Sequence, residues 1–165
     1  MLGQLKTREL FASADTRRSV VELIFKKALD EPEHSKLYAR ICFGLAMYEV
    51  SLNEPGTRPK SELRNAIVYT AQNEFRQFKS DEALAEKSHA LTQDEKEYTL
   101  SQFMRRKRAN IRFIGQLFLN DVLSHSTMLV ILNITMKEAV DGGFPASENI
   151  ELLAELLSTV GERLD

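Results

Sequence analysis

The sequence predicts an all-α fold, a stack of about three antiparallel helical hairpins. Two features of the chain predict it, and one stretch organises it. Only seven glycines and four prolines occur in 165 residues. They bunch at Pro32, at Pro55-Gly56 with Pro59, and at Gly142-Gly143 with Pro145, and the segments between them carry helical periodicity. β-Branched alternation is nowhere sustained over a strand's length. The organising stretch is 105–121, RRKRANIRFIGQLFLND. At about 100° per residue the helix through it sorts Phe103 and Met104, just before the stretch, with Ile111, Ile114, Leu117 and Phe118 into one apolar arc. Arg105, Arg108 and Arg112, at i, i+3 and i+7, form a basic stripe opposite, and Gln116 continues it.

Taken in order, a first short helix is expected over 2–11. The second follows Asp15-Thr16 as a cap candidate and runs to about Leu29, with Val20, Val21, Ile24, Phe25 and Ala28 inward. Pro32 suits a tight connection or the first turn of the third helix, 33–50. That helix is apolar on two sides, with Leu37, Tyr38, Ile41, Cys42, Leu45 and Tyr48 on one and Phe43, Met47 and Val50 on the other, which predicts a middle layer packed on both. After a polar loop, Ser61 caps a helix to about Phe78, inward at Leu63, Ile67, Ala71, Phe75 and Phe78. The charged stretch 80–91 reads as a short helix or mobile linker. Thr92 and Glu95 have capping-box spacing, and a long helix runs from there to about Asn120.

Residues 126–140 read as a helix apolar almost all round and therefore central. Ser147 caps a last helix with Ile150, Leu153, Leu156, Leu157, Val160 and Leu164 inward and Glu151, Glu155 and Glu162 outward. Connections this short imply antiparallel neighbours, and successive pairs without shared sequence suggest a degenerate solenoid such as HEAT repeats. A closed bundle satisfies the same periodicity. Gly115 costs about 1 kcal/mol relative to alanine within a helix, which points to close approach of a neighbouring helix there.

Composition narrows the function. Apolar residues make up 43% and charged residues 28%, with a net charge of −2, so any affinity for RNA must come from a local patch. No uninterrupted apolar run reaches the ~18 residues of a membrane span, and the N-terminus lacks the apolar core of a secretory signal. A single cysteine, Cys42, excludes an internal disulfide and suits a reducing, cytoplasmic setting. No phosphate-binding loop, metalloprotease motif, nucleophile elbow or cysteine pair for zinc is present, so neither an enzyme nor a cofactor is expected. Cys42 on an apolar face reads as a small hydrophobe, and His34, His89 and His125 as solvated residues.

The run Arg105-Arg106-Lys107-Arg108 has two readings. One is a solvated face partly neutralised by Glu95, Glu97 and the acidic linker. The other is a site for phosphate or for an acidic protein surface. On a continuous helix Lys107 points into the apolar arc, so it must snorkel or the helix must bend.

Several stretches then resemble one family. Residues 21–42, VELIFKKALDEPEHSKLYARIC, follow a pattern LIxxKAxxEPxxSxxYAxxC that includes Glu31, Pro32, Ser35, Tyr38, Ala39 and Cys42. Phe75–Phe78 falls at that family's EF segment. Residues 108–123, RANIRFIGQLFLNDVL, are similar to RxxxNIRFIGELFxxxML, with Gln116 in place of Glu. Residues 152–165, LLAELLSTVGERLD, resemble LxxLLxTIGKDLD. The family is the middle domain of eukaryotic translation initiation factor 4G.

The resemblance implies a right-handed HEAT-repeat solenoid occupying 1–165 as one domain. About three of the family's usual five pairs are present and the C-terminal pairs are lacking, as in a piece of a longer protein. It also implies a non-catalytic scaffold in cap-dependent translation that binds the DEAD-box helicase, initiation factor 4A. Messenger RNA is a possible second partner, and a cap-binding protein would be reached through segments outside the domain. Same-fold adaptors of messenger-RNA decay, splicing or poly(A)-linked regulation are the alternative, as is a mainly RNA-binding module. Arg105, Arg108, Arg112 and Gln116 are the candidate contact residues, and Asn110 a candidate for a hydrogen bond within the stack.

Overall fold

A computed structural model describes residues 13–53, 60–87, 92–140 and 147–164, with side chains described outside 75–87, 137–140 and 147–149. The described residues form helices joined by turns, without a strand. They are α1 (Ala14–Asp30), a 3-10 turn (Pro32–His34), α2 (Ser35–Ser51), α3 (Glu62–Lys87), α4 (Gln93–Leu119), α5 (His125–Val140) and α6 (Ser147–Leu164). The helix expected over 2–11, and the side chains of Phe75, Phe78 and His89, lie outside the described residues. α3 runs on to Lys87, so the stretch expected as a separate short helix or linker is, that far, its last turns. Its residues DEALAEK are strong helix formers that hold a helix without apolar periodicity.

Side chains fix the helix starts. Thr92 accepts from the Glu95 N–H, and the Glu95 carboxylate accepts from the Thr92 N–H at 2.8 Å, closing the expected capping box. Ser61 accepts from the Arg64 N–H at 3.0 Å, and Ser124 from the Thr127 N–H at 3.1 Å. At α1 the cap position is Ser13, without a side-chain bond, and Asp15 sits in the first turn, where its charge favours the helix dipole. Glu49 of α2, 8% exposed, reaches the start of α3, accepting from the Ser61 hydroxyl at 2.7 Å and the Leu63 N–H at 2.8 Å. Arg17 of α1 lies 3.9 Å from the same carboxylate, so three helices meet on one buried charge.

Long-range pairs give the topology. Tyr38 meets Glu31 beside the α1–α2 turn while Arg17 meets Glu49 at the far end, so these helices are antiparallel. Moving along α3 from Arg64 to Glu74, the partner on the α4 side steps back from Asp121 to Arg106, again antiparallel. Between α4 and α6 the partners keep a constant separation of 43–44 residues, so those two run parallel. α1 packs on α3, α2 on α4, and α4 on α6, with α5 against α6. Neither helix of the first pair forms a packed interface with α5 or α6 among the described residues. Hairpins whose second helices run parallel in file make an open solenoid, which settles the choice against a closed bundle.

α4 is the axis of the core. Ile111, Phe113, Ile114, Leu117 and Phe118 are buried, and Phe113 meets Phe25 of α1 edge to face at 5.0 Å. Gly115 is buried, and a Cβ there would lie 3.1 Å from Thr159 Cγ2 and 3.5 Å from Val160 Cγ1, the close approach expected from its place in the helix.

Three burial expectations need correction. α2 is fully buried along one stripe, Ser35, Ala39, Cys42, Ala46 and Glu49, with Tyr38, Leu45 and Tyr48 on one side and Phe43 on the other partly buried against the core, while Leu37, Ile41 and Met47 are exposed. Small residues bring α2 close to its neighbours, so its larger side chains project past the contact. α5 is not central: it packs on α6 and leaves Leu129, Val130 and Met136 exposed. In α6 the inward arc runs through Leu152, Leu156 and Val160, which leaves Ile150 and Leu157 outside.

Gly115→Val is expected to lower unfolding free energy by about 2 kcal/mol through overpacking against Thr159. Gly115→Ala made in a Thr159→Ser background should instead be neutral or stabilising by up to ~1 kcal/mol, because the obstructing methyl is gone and helix propensity remains. Urea titrations followed by circular dichroism check both. The turn before α2 carries a second expectation. Glu31 accepts from the Tyr38 hydroxyl at 2.5 Å and from Lys27 at 3.0 Å, and these bonds hold its carboxyl below the ordinary 4.5. A depressed folded value gives stability that is whole above pH 4.5 and is lost as pH falls through the folded value. Tyr38→Phe should therefore raise the Glu31 titration midpoint toward 4.5 in a carboxyl NMR titration and flatten the acid limb of the stability curve.

Candidate protein-interaction face

The basic stripe lies on the most thoroughly packed helix, and the structure divides it. Arg108 donates to Glu151 at 3.0 Å and lies 3.9 Å from Glu155, while Arg112 donates to Glu155 through two nitrogens at 3.2 and 2.9 Å. Two arginines one turn apart on α4 thus meet two glutamates one turn apart on α6, as parallel helices in register require. Arg106 points the other way, to Glu74 of α3 at 3.3 Å. The expected neutralisation by Glu95 and Glu97 is therefore corrected: Glu95 serves its own helix cap, and Glu97 accepts from Gln93. Glu151 and Glu155, expected simply as an outer face, are the stripe's counterions. Lys107 is buried at 5% exposure, as its place in the apolar arc demands.

Arg105 is exposed and reaches no carboxylate among the described residues. It borders two hollows. One, of about 410 Å³, lies between the Pro32 turn and α4, lined by Pro32, Met104 and Ala109 with Arg105, Arg108 and Arg112 around them. The other, of about 360 Å³, is bordered by Leu29, Asp30, Gln102 and Arg106. Gln116 sits partly buried at the end of the stripe, away from both hollows. Three of the four expected contact residues therefore share one concavity. Pro32 and Met104, which form its floor, were not expected there. The matching i, i+4 spacing of Arg108/Arg112 and Glu151/Glu155 was the available signal for the charge ladder; nothing local marks Pro32 as its neighbour.

Asn110, expected to hydrogen-bond within the stack, is fully buried, and neither amide atom has a partner among the described residues. A larger cleft, about 780 Å³, lies between α3 and the α4–α5 turn, bordered by Arg64, Tyr69, Phe118, Asp121, His125 and Arg163. Its arginines are occupied by the turn. Asp121 has φ 60°, Arg64 donates to its carbonyl at 2.9 Å, and Arg163 donates to its carboxylate and to the Leu119 carbonyl while lying 5.5 Å over the Phe118 ring. Cations on the last carbonyls of α4 satisfy groups the helix leaves open, so this cluster fastens a helix end.

Cys42 is buried, and burial pushes its thiol up to about 12, far from the thiolate a nucleophile needs. His34, at the end of the 3-10 turn, and His125, at the start of α5, are exposed, and no group of three His, Cys, Asp or Glu that could hold a metal occurs among the described residues. No helix there is long and apolar enough to cross a membrane.

Comparison with known proteins fits this geometry. Residues 5–165 match the model of the MIF4G domain. The chain is 29% identical over 181 residues to eukaryotic translation initiation factor 4 gamma 3 of Mus musculus, covering all of this chain and 11% of that protein. It is 32% identical over 158 residues to eukaryotic translation initiation factor 4G of Arabidopsis thaliana, covering 93% of this chain and 9% of that one. With the Saccharomyces cerevisiae eukaryotic initiation factor 4F subunit p150 it shares 31% over 163 residues, 93% of this chain and 17% of the other. The chain therefore spans a small part of the curated relatives it matches. Among solved structures, the MIF4G domain of Trypanosoma cruzi translation initiation factor EIF4G5 superimposes with a TM-score of 0.65 at 26% identity, over 94% of this chain and 68% of that one. A helical solenoid, an NIRFIG helix at its axis and a domain match over nearly the whole length place the chain in one family: it belongs to the MIF4G domain family.

Proposed function

We propose that this chain is a non-catalytic scaffold of cytoplasmic, cap-dependent translation initiation that binds a DEAD-box RNA helicase of the initiation factor 4A type. The observation that carries the reading is the combination of a MIF4G domain with relatives named as initiation factor 4 gamma subunits in animals, plants and yeast. Those names favour initiation over messenger-RNA decay or splicing. The solenoid supplies suitable physics. A helicase with two mobile lobes populates several arrangements, and a rigid surface that binds one of them better shifts the population toward it by the difference in affinity. α4 is the natural place for such a surface, because its buried faces hold Arg105, Arg108 and Arg112 in fixed register. Gln116 extends the same line, and messenger RNA is a further partner of the assembly.

The test is capture of purified helicase by the chain, measured by co-purification and by calorimetry. Replacing Arg105, Arg108 and Arg112 together by glutamate should weaken capture by roughly tenfold or more, since like charges would then oppose an acidic partner. Circular dichroism and melting temperature must show the variant folded, because Arg108 and Arg112 also pair with α6. Undiminished capture by a folded triple variant would remove this face from the reading, and absence of capture by the unaltered chain would remove the helicase.

A further inference from the structure

We infer that the hollow beside Arg105 takes an acidic segment bearing an aliphatic side chain, and that Glu151 and Glu155 hold Arg108 and Arg112 in competition with it. The inference rests on the reading of α4 as a partner-binding face and names the chemistry of what binds there.

The lining selects the ligand. Pro32, Met104 and Ala109 offer an apolar floor, Arg105, Arg108 and Arg112 a cationic rim, and Ser101 the remaining polar group. Among the described residues no carboxylate and no aromatic ring lines the hollow. Single-stranded nucleic acid is held by bases stacked on aromatic faces beside a basic groove, and this hollow has the charge without the ring. A carboxylate-bearing peptide with one aliphatic residue matches both the rim and the floor.

The molecule already shows half of that recognition. Glu151 and Glu155, one helical turn apart, engage Arg108 and Arg112, so an acidic helical stretch in the right register satisfies these guanidiniums. The occupation is incomplete. Arg108 donates to Glu151 through one nitrogen, and Arg112 brings two nitrogens to a single carboxylate oxygen, which leaves donors of each five-donor group unused. The two arginine side chains stay 48% and 44% exposed, where an ion pair is screened and readily exchanged. Arg105, with no carboxylate among the described residues, is the entry point, and a partner entering there must draw Arg108 and Arg112 away from α6 or share them.

The experiment uses fluorescence anisotropy with the whole chain and a labelled helical peptide of about a dozen residues carrying glutamates at i and i+4 around a leucine. Binding should weaken between about 50 mM and about 200 mM salt, as exposed charge pairs do. Glu151→Gln with Glu155→Gln should tighten it by roughly threefold to tenfold, since each exposed pair released is worth a factor of up to about five. Arg105→Glu should weaken it by roughly tenfold, and leucine-to-serine in the peptide severalfold. A folded Glu151→Gln/Glu155→Gln protein that binds no more tightly overturns the competition. Equal binding of a control peptide with lysines in place of both glutamates overturns the acidic specificity. Tighter, Arg105-dependent binding of an oligouridine of similar length overturns the ligand class in favour of RNA. Running helicase capture in parallel separates the two readings. Loss of peptide binding with unchanged helicase capture in Arg105→Glu leaves this inference standing and removes the helicase from the hollow; helicase capture that depends on Arg105 without any peptide binding does the reverse.

Discussion

The structure depends on how closely α4 and α6 can approach at Gly115. A side chain there would meet Thr159, Val160 and Leu156 at once, so the absence of a Cβ sets the distance between the second helices of successive hairpins. That distance brings Leu152, Leu156 and Val160 into the same core as Ile111, Ile114 and Leu117. It also fixes the register in which Arg108 finds Glu151 and Arg112 finds Glu155. Glycine costs about 1 kcal/mol of helix propensity, offset by apolar area buried at about 25 cal/mol per Å² along the seam.

Charge on α4 is handled differently at each of its surfaces. Arg106 goes back to the hairpin partner, Arg108 and Arg112 go forward to the next hairpin, and Arg105 faces the Pro32 turn. One run of cations thus ties α4 to α3 and α6, while Arg105, beside a concavity, meets no carboxylate among the described residues. Exposed pairs of this kind contribute little to stability individually. Their weight lies in register and in which arginine stays accessible. The Arg163 cluster works the other way: its cations close the carbonyl end of α4 and fix a left-handed Asp121, so the larger cleft carries a structural load.

Much of this was legible in the sequence, and the parts that were not share a cause. Helix starts at Ser61 and Thr92 are local chemistry, a hydroxyl within three residues of the N–H it caps, and they stand where spacing put them. The burial of Ile111, Ile114, Leu117 and Phe118, and the close approach at Gly115, follow from one helix considered alone. The two-sided packing expected of α2 holds for Tyr38, Phe43, Leu45 and Tyr48 and not for Leu37, Ile41 and Met47, because periodicity reports which residues are apolar, whereas neighbour distance, set here by Ala39, Cys42 and Ala46, decides which are covered. The central place expected for α5 fails likewise: an apolar surface is necessary for burial and insufficient without a helix to meet it. The arginine stripe was visible as a pattern, yet its counterions lie 43 residues away and no local window contains them. Asn110 remains without a physical account beyond its burial.

The same register would let the arginine face proposed above change partners without changing the fold. α6 is held to α4 by buried contacts of Leu156 and Val160 around Gly115, which follows Arg112 by about one turn and Arg108 by about two. Those contacts are apolar, enclosed and insensitive to salt, whereas the ion pairs are half-exposed and screened within about 10 Å at ordinary ionic strength. Exchanging a carboxylate of α6 for a carboxylate from outside therefore moves side chains and leaves the seam intact. A solenoid built this way separates the contacts that set its shape from those proposed to meet a partner, and both occupy one helix because α4 is buried on the faces that hold it and charged on the one that remains.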